Sequence, residues 1–184
     1  MTETQSHGVA LLVVDVQPTF LKVMPESEVF LRRCRLAVAA ARLLDVPVIF
    51  TEQVPAKLGP THPDLLAGGE GAPLMVPKSA FSALGAPGFR ELLRDRGIVH
   101  LLVCGLEGPV CVYQTAVEGL RSELGITLLS DAITSRRAED QQACFSALRH
   151  AGAQVLPVEA VFYALLGSAS HPQFRAFTDL VKNG

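Results

Sequence analysis

The chain has 184 residues, the size of one domain around one hydrophobic core. Its 16 basic and 18 acidic residues are interspersed and leave a net charge of −2, so nothing in it attracts a polyanion and no nucleic-acid partner is expected. No apolar run is long enough to span a bilayer, and the polar stretch Met1–His7 lacks the basic-then-apolar layout of a signal peptide, which leaves no membrane partner and a cytoplasmic location as the expectation.

Val9–Val14 is a continuous apolar run, the pattern of a strand buried on both faces. Glu28–Leu44 carries apolar residues at helical spacing and stops at Asp45, ahead of Pro47. Val46–Thr51 reads as the second strand. Val54–Ala72, rich in Gly and Pro, reads as a long ordered loop, and a loop of that length in a compact domain is often functional. Leu74–Val76 is a short extended piece leading into Lys78. Phe89–Arg96 is a helix stopped by Gly97, and Ile98–Val103 is the next strand. Cys111–Leu124 is a helix closed by Gly125, and Ile126–Leu129 is a strand ending at Ser130-Asp131. Glu139–His150 is a helix stopped at Gly152, Gln154–Pro157 gives a last strand, and Val158–Leu166 and Pro172–Val181 are terminal helices. No repeat or linker interrupts the series, so residues 1–184 read as a single domain.

Alternating strands and helices predict a Rossmann-like three-layer α/β/α fold with a mainly parallel sheet of about six strands. Right-handed crossovers place every strand's C-terminal end on one edge, and in open α/β sheets that edge holds the ligand crevice. The residues just past strands are Asp15 and Gln17, Thr51 to Gln53, Lys78, Gly105 to Cys111, and Asp131. The first turn, Asp15-Val16-Gln17-Pro18, has no GxGxxG, and no GxxxxGK[ST] occurs. Gly68, Gly69 and Gly71 follow no strand and open no helix, so no nucleotide cofactor is expected. The basic pairs Arg32-Arg33 and Arg136-Arg137 read as solvated positions.

Cys34, Cys104, Cys111 and Cys144 form no CxxC pair and read as free thiols of a reducing compartment. Cys111 stands out, because it follows a strand and a turn and opens a helix. The unpaired N–H groups there favour a thiolate and can hold an oxyanion. Asp15 ends a wholly apolar strand, where a carboxylate needs a partner and can act as base for the thiol; its bland alternative is a turn or cap residue. Lys78 brings a positive charge to the same edge, and its bland alternative is an ordinary solvated lysine. Spacing alone does not join the three.

Val13-Val14-Asp15-Val16-Gln17 with Phe20, then Pro77-Lys78-Ser79-Ala80-Phe81, then Gly105-Leu106-Glu107 with Cys111-Val112 and Thr115-Ala116, resemble the ordered motifs of isochorismatase-like hydrolases. Ser130 to Arg136 is similar to the segment that follows them. Thr51-Glu52-Gln53, Leu58-Gly59-Pro60-Thr61 and His171-Pro172-Gln173-Phe174 are similar to the isochorismatase domain-containing subgroup. The resemblance implies a cysteine hydrolase of small-molecule amide or related C–N bonds with the catalytic triad Asp15, Lys78 and Cys111. It also implies an oxyanion hole made by the backbone N–H groups of Glu107 and Cys111, and a cis peptide at Leu106–Glu107. Gln17, Phe20, Gln53 and Phe81 are the substrate-binding candidates. A homo-oligomer, dimer or tetramer, is implied as well, and the apolar helix Val158–Leu166 offers surface to bury in one.

Two departures from the family pattern stand out. Gly108-Pro109 replaces the usual Thr followed by Asp or His, and Pro109 lacks an N–H and stiffens the turn. The nicotinamidase branch binds zinc through an Asp and two His after the second strand, whereas this chain has only His62 there, with Glu52 and Asp64 nearby. A catalytic zinc normally takes three protein ligands, so no metal is expected. His171 reads as a helix cap. The competing functional class is a non-catalytic interaction protein that kept the fold.

Overall fold

The computed structural model describes residues 8–69 and 71–183. Among them, β1 (Val9–Val14), β2 (Val48–Gln53), β3 (Leu74–Lys78), β4 (His100–Gly105), β5 (Gly125–Ile133) and β6 (Gln154–Leu156) form one six-stranded sheet. Every pairing is parallel, and the order is β3-β2-β1-β4-β5-β6. The longer helices are α2 (Ser27–Leu43), α5 (Phe89–Asp95), α6 (Tyr113–Arg121), α7 (Ala138–His150), α8 (Val158–Leu166) and α9 (Phe174–Asn183). Three single turns, α1 (Pro18–Leu21), α3 (Pro55–Leu58) and α4 (Pro63–Leu66), each begin with proline, whose fixed φ and missing N–H suit a helix start.

The strand pattern explains the layering. On β1, Leu11 and Val13 join the core with α2, α8 and α9, while Ala10, Leu12 and Val14 join the opposite core with α5, α6 and α7. A strand buried on both faces needs this unbroken apolar run. Phe50, Phe89, Phe162 and Phe177 are fully buried, and truncating such a ring to Ala costs about 3–5 kcal/mol.

Several boundaries differ from the sequence reading for local reasons. Val46 does not open β2; its N–H closes back on the Ala41 carbonyl at 2.8 Å and finishes α2, so the strand runs on to Gln53. The segment read as a long ordered loop also carries the single turns α3 and α4, and Arg42 of α2 donates to the carbonyls of Leu65, Leu66 and Ala67 and pins α4. β5 continues to Ile133, with a register shift where Gly105 pairs with it. The helix placed at Cys111 begins at Tyr113, and Cys111 lies in a wider π turn, Gly108–Val112, that leads into it. Much of the apolar face of α8 is buried within the chain itself. Val158, Val161, Phe162 and Leu166 are buried, and α9 covers the helix with Phe177, whose ring meets Tyr163 edge-on at 4.8 Å.

The strand order reverses direction between β1 and β4, and such a switch point opens a crevice at the strands' C-terminal ends. β4 passes β1 so closely there that a Cβ on Gly105 would lie 2.2 Å from the Val14 carbonyl oxygen, at a φ of +117°. Only glycine fits. Asp15 follows Val14 in the left-handed region, φ 52°, a conformation uncommon outside glycine and frequent at functional sites.

Candidate active site

Three adjacent strands deliver the first part of the site. Asp15 is fully buried at the end of β1, and its Oδ1 accepts from Thr51 Oγ1 of β2 at 2.7 Å. Its Oδ2 accepts from Lys78 Nζ of β3 at 2.6 Å. Gln53 pairs in register with Lys78, and its Oε1 takes a second proton of Nζ at 2.6 Å. The carbonyls of Phe81 and Ala80 lie at 3.0 and 3.3 Å from the same nitrogen. A buried ion pair is tolerated only when its remaining hydrogen-bonding capacity is met, and here it is.

Cys111 completes the cluster from the turn after β4, with only 6% of its surface exposed. Its Sγ lies 3.9 Å from Gln53 Oε1. Burial and the negative charge of Asp15 push the thiol up to about 12, against the opposing pull of Lys78. Lys78 eases the loss of the proton, as the sequence reading expects, but burial and Asp15 act more strongly in the opposite direction. The thiol is buried, and desolvation of the thiolate is the largest cause of the shift.

The cysteine turn has the cis peptide at Leu106–Glu107. Leu106 N–H donates to the Val14 carbonyl at 2.9 Å and Gly108 N–H to the Thr134 carbonyl at 3.0 Å. The Glu107 carbonyl accepts from the amides of Val110 and Val112 at 3.0 and 3.2 Å. Pro109 falls in the first turn of the helical segment, where its missing N–H removes no helical bond. Gly108 makes room for Ser135: a Cβ on residue 108 would sit 2.4 Å from Ser135 Oγ. Ser135 Oγ is buried and has no hydrogen-bond partner among the described residues.

The substrate-binding candidates divide. Gln53 faces the triad as described. Gln17 is buried, and its Nε2 donates to the carbonyls of Gln53 and Gly59 while its Oε1 accepts from the Gln53 amide at 2.8 Å. Both its N–H groups are spent on backbone, so it clamps the first turn to β2 as part of the wall. Phe20 packs partly buried against the α2 core, and the ring of Phe81 is half exposed. Asp131 stands apart: it accepts from the Val158 amide at 2.8 Å, pairs with Arg33 and starts α8. Glu52 accepts from the amide and hydroxyl of Thr61. His62 Nδ1 accepts from the Asp64 amide and caps α4, and His171 Nδ1 accepts from the Gln173 amide. Among the described residues, no group of three or more His, Cys, Asp or Glu side chains is arranged to hold a metal ion.

Sequence reading missed two supports. Thr115 Oγ1 accepts from the Ala83 amide at 2.9 Å and holds the segment after Lys78 against α6. Arg136, read as solvated, binds Glu107. Both residues fall in the motifs quoted above, but their contacts are not legible there, because each partner is about 30 residues away.

Residues 9–160 match the isochorismatase domain. Isochorismatase domain-containing protein 2 of Bos taurus is 35% identical over 173 residues, which cover 94% of this chain and 82% of that protein. The structure of a Caenorhabditis elegans protein named MAR1 ribonuclease superposes with a TM-score of 0.90 at 30% identity, covering 96% of this chain and 91% of that one. The Escherichia coli YcaC gene product, described as an octameric hydrolase of unknown specificity, shares the fold with a TM-score of 0.85 at 19% identity, covering 100% and 96% of the two chains. With the switch-point geometry and the match across most of its length, this chain belongs to the isochorismatase family.

Proposed function

We propose that the chain is a cysteine hydrolase that cleaves a small-molecule amide or a related C–N bond, with Asp15, Lys78 and Cys111 as its triad. The carrying observation is a fully buried Asp15, bonded to Lys78 at 2.6 Å, in one cluster with Cys111, whose Sγ lies 3.9 Å from the Gln53 Oε1 that Lys78 also holds. With the thiol neutral at rest, Asp15 takes its proton as sulfur attacks the carbonyl carbon. Lys78, bonded to Asp15, offsets the negative charge that builds up. The oxyanion rests on the amides of Glu107 and Cys111. Collapse breaks the C–N bond, and the amine leaves with the proton from Asp15. Water, deprotonated by Asp15, then hydrolyses the thioester to the acid and returns the proton to sulfur.

Four free cysteines support a reducing, cytoplasmic setting. The octameric assembly named for the YcaC neighbour supports a homo-oligomer here, to be checked by light scattering at micromolar concentration.

A panel of small amides screened by ammonia release tests the reaction. Release by the wild type and none by Cys111→Ala is expected. No release from any amide would leave the interaction-protein alternative. RNA belongs in the same screen because the Caenorhabditis elegans neighbour is named a ribonuclease, although 16 basic against 18 acidic residues favour a small molecule. RNA cleavage that disappears in Cys111→Ala would move the reading to phosphodiesters.

A further inference from the structure

Arg136 follows β5 in the segment that faces the cysteine turn. Its side chain is 62% exposed, yet both its backbone N–H (3.2 Å) and its Nε (2.9 Å) donate to one oxygen, Oε1 of Glu107. Two residues earlier the Thr134 carbonyl accepts from the Gly108 amide, and the Thr134 amide donates to the Gly105 carbonyl at 3.3 Å. Residues 134–136 therefore grip the turn at Gly105, Glu107 and Gly108. Between these grips, no acceptor among the described residues is bonded to the Glu107 amide itself, although its carbonyl is used twice. A donor that stabilises an oxyanion works only when it is fixed beforehand. The carboxylate on the same residue poses a second problem, because a negative charge near the reacting carbonyl opposes the charge that develops there.

We infer that Arg136 is a positioning residue: it fixes the direction of the Glu107 amide and neutralises the Glu107 carboxylate, so that the amide serves the acyl oxygen. This rests on the hydrolase reading above. Arg136 touches no reacting atom, and its exposed guanidinium contributes little to folding.

Two reagents on the folded chain separate the roles. p-Nitrophenyl acetate acylates Cys111: the S–C bond forms, the bond to p-nitrophenolate breaks, the thiol proton passes to Asp15, and the acyl oxygen carries negative charge on the way. Iodoacetamide alkylates the same sulfur by displacing iodide from a saturated carbon, with no oxyanion. Both rates are read from the mass of the Cys111 peptide. Arg136→Ala is expected to slow acylation roughly 10–100-fold while alkylation stays within about twofold, as befits a lost oxyanion contact. Arg136→Lys restores part of the rate, because it keeps a cation beside the Glu107 carboxylate. Wild-type acylation by Arg136→Ala, or an equal fall in both reactions, overturns the inference. A wild-type Cys111 that alkylates but never acylates is a different pattern and overturns the nucleophile reading itself.

Discussion

Two ion pairs in this chain have almost the same length and opposite meanings. Lys78 meets Asp15 at 2.6 Å with side chains 0% and 1% exposed, while Arg90 meets Glu118 at 2.5 Å with 46% and 38% exposed. The surface pair ties α5 to α6 in water, where desolvation costs little and attraction is screened. The buried pair is shielded from solvent, and its hydrogen bonds come from β1, β2, β3 and the segment after it. Burial, more than distance, decides what an ion pair does. In the buried case it converts a stability liability into a fixed charge beside a thiol.

The largest effect should come from breaking the buried pair one-sidedly. Lys78→Met leaves a carboxylate without its cation and should destabilise by about 3–5 kcal/mol in urea unfolding, whereas adding Asp15→Asn should recover much of that loss. A cost below about 1 kcal/mol for the single variant would erase the contrast between the two pairs.

Thr51→Val is the next test. It removes the donor to Asp15 Oδ1 at nearly constant shape and should cost about 1.5–3 kcal/mol, the range for a hydrogen bond to a charged group. A neutral result would show that Lys78 alone holds the carboxylate.

The pH dependence of Cys111 alkylation sharpens the comparison on the chemical side. With the thiol pushed up to about 12, the wild-type rate should keep climbing through the alkaline range instead of levelling near neutrality. Asp15 raises this value and Lys78 lowers it, so Asp15→Asn should move the profile to lower pH and Lys78→Met to higher pH. A plateau near pH 7 in the wild type would mean that a thiolate is already present and that burial does not dominate. The smallest effect belongs to the surface: Arg90→Ala should change stability by no more than about 1 kcal/mol, and less at high salt.

What the sequence by itself determined is the material with a local signature. The six-residue apolar run of β1 specified a strand buried on both faces, and alternating periods specified the layered parallel fold. The same logic placed Asp15, Lys78 and the cysteine turn on one edge. Only the tertiary structure decided what those residues experience. Lys78 could have been a solvated lysine until β3 paired with β2 and set it beside a carboxylate 63 positions away. Gln17 became a wall residue because Gln53 and Gly59 use up its amide. The apolar residues Val158, Val161, Phe162 and Leu166 of α8 turned out to fill the chain's own core. Arg136 is exposed as the sequence suggested, and only the fold shows that it also binds Glu107. The direction of the Cys111 shift also follows from packing. Periodicity and capping are properties of neighbours in sequence, whereas desolvation and charge pairing depend on neighbours in space, and these exist only once the chain has folded.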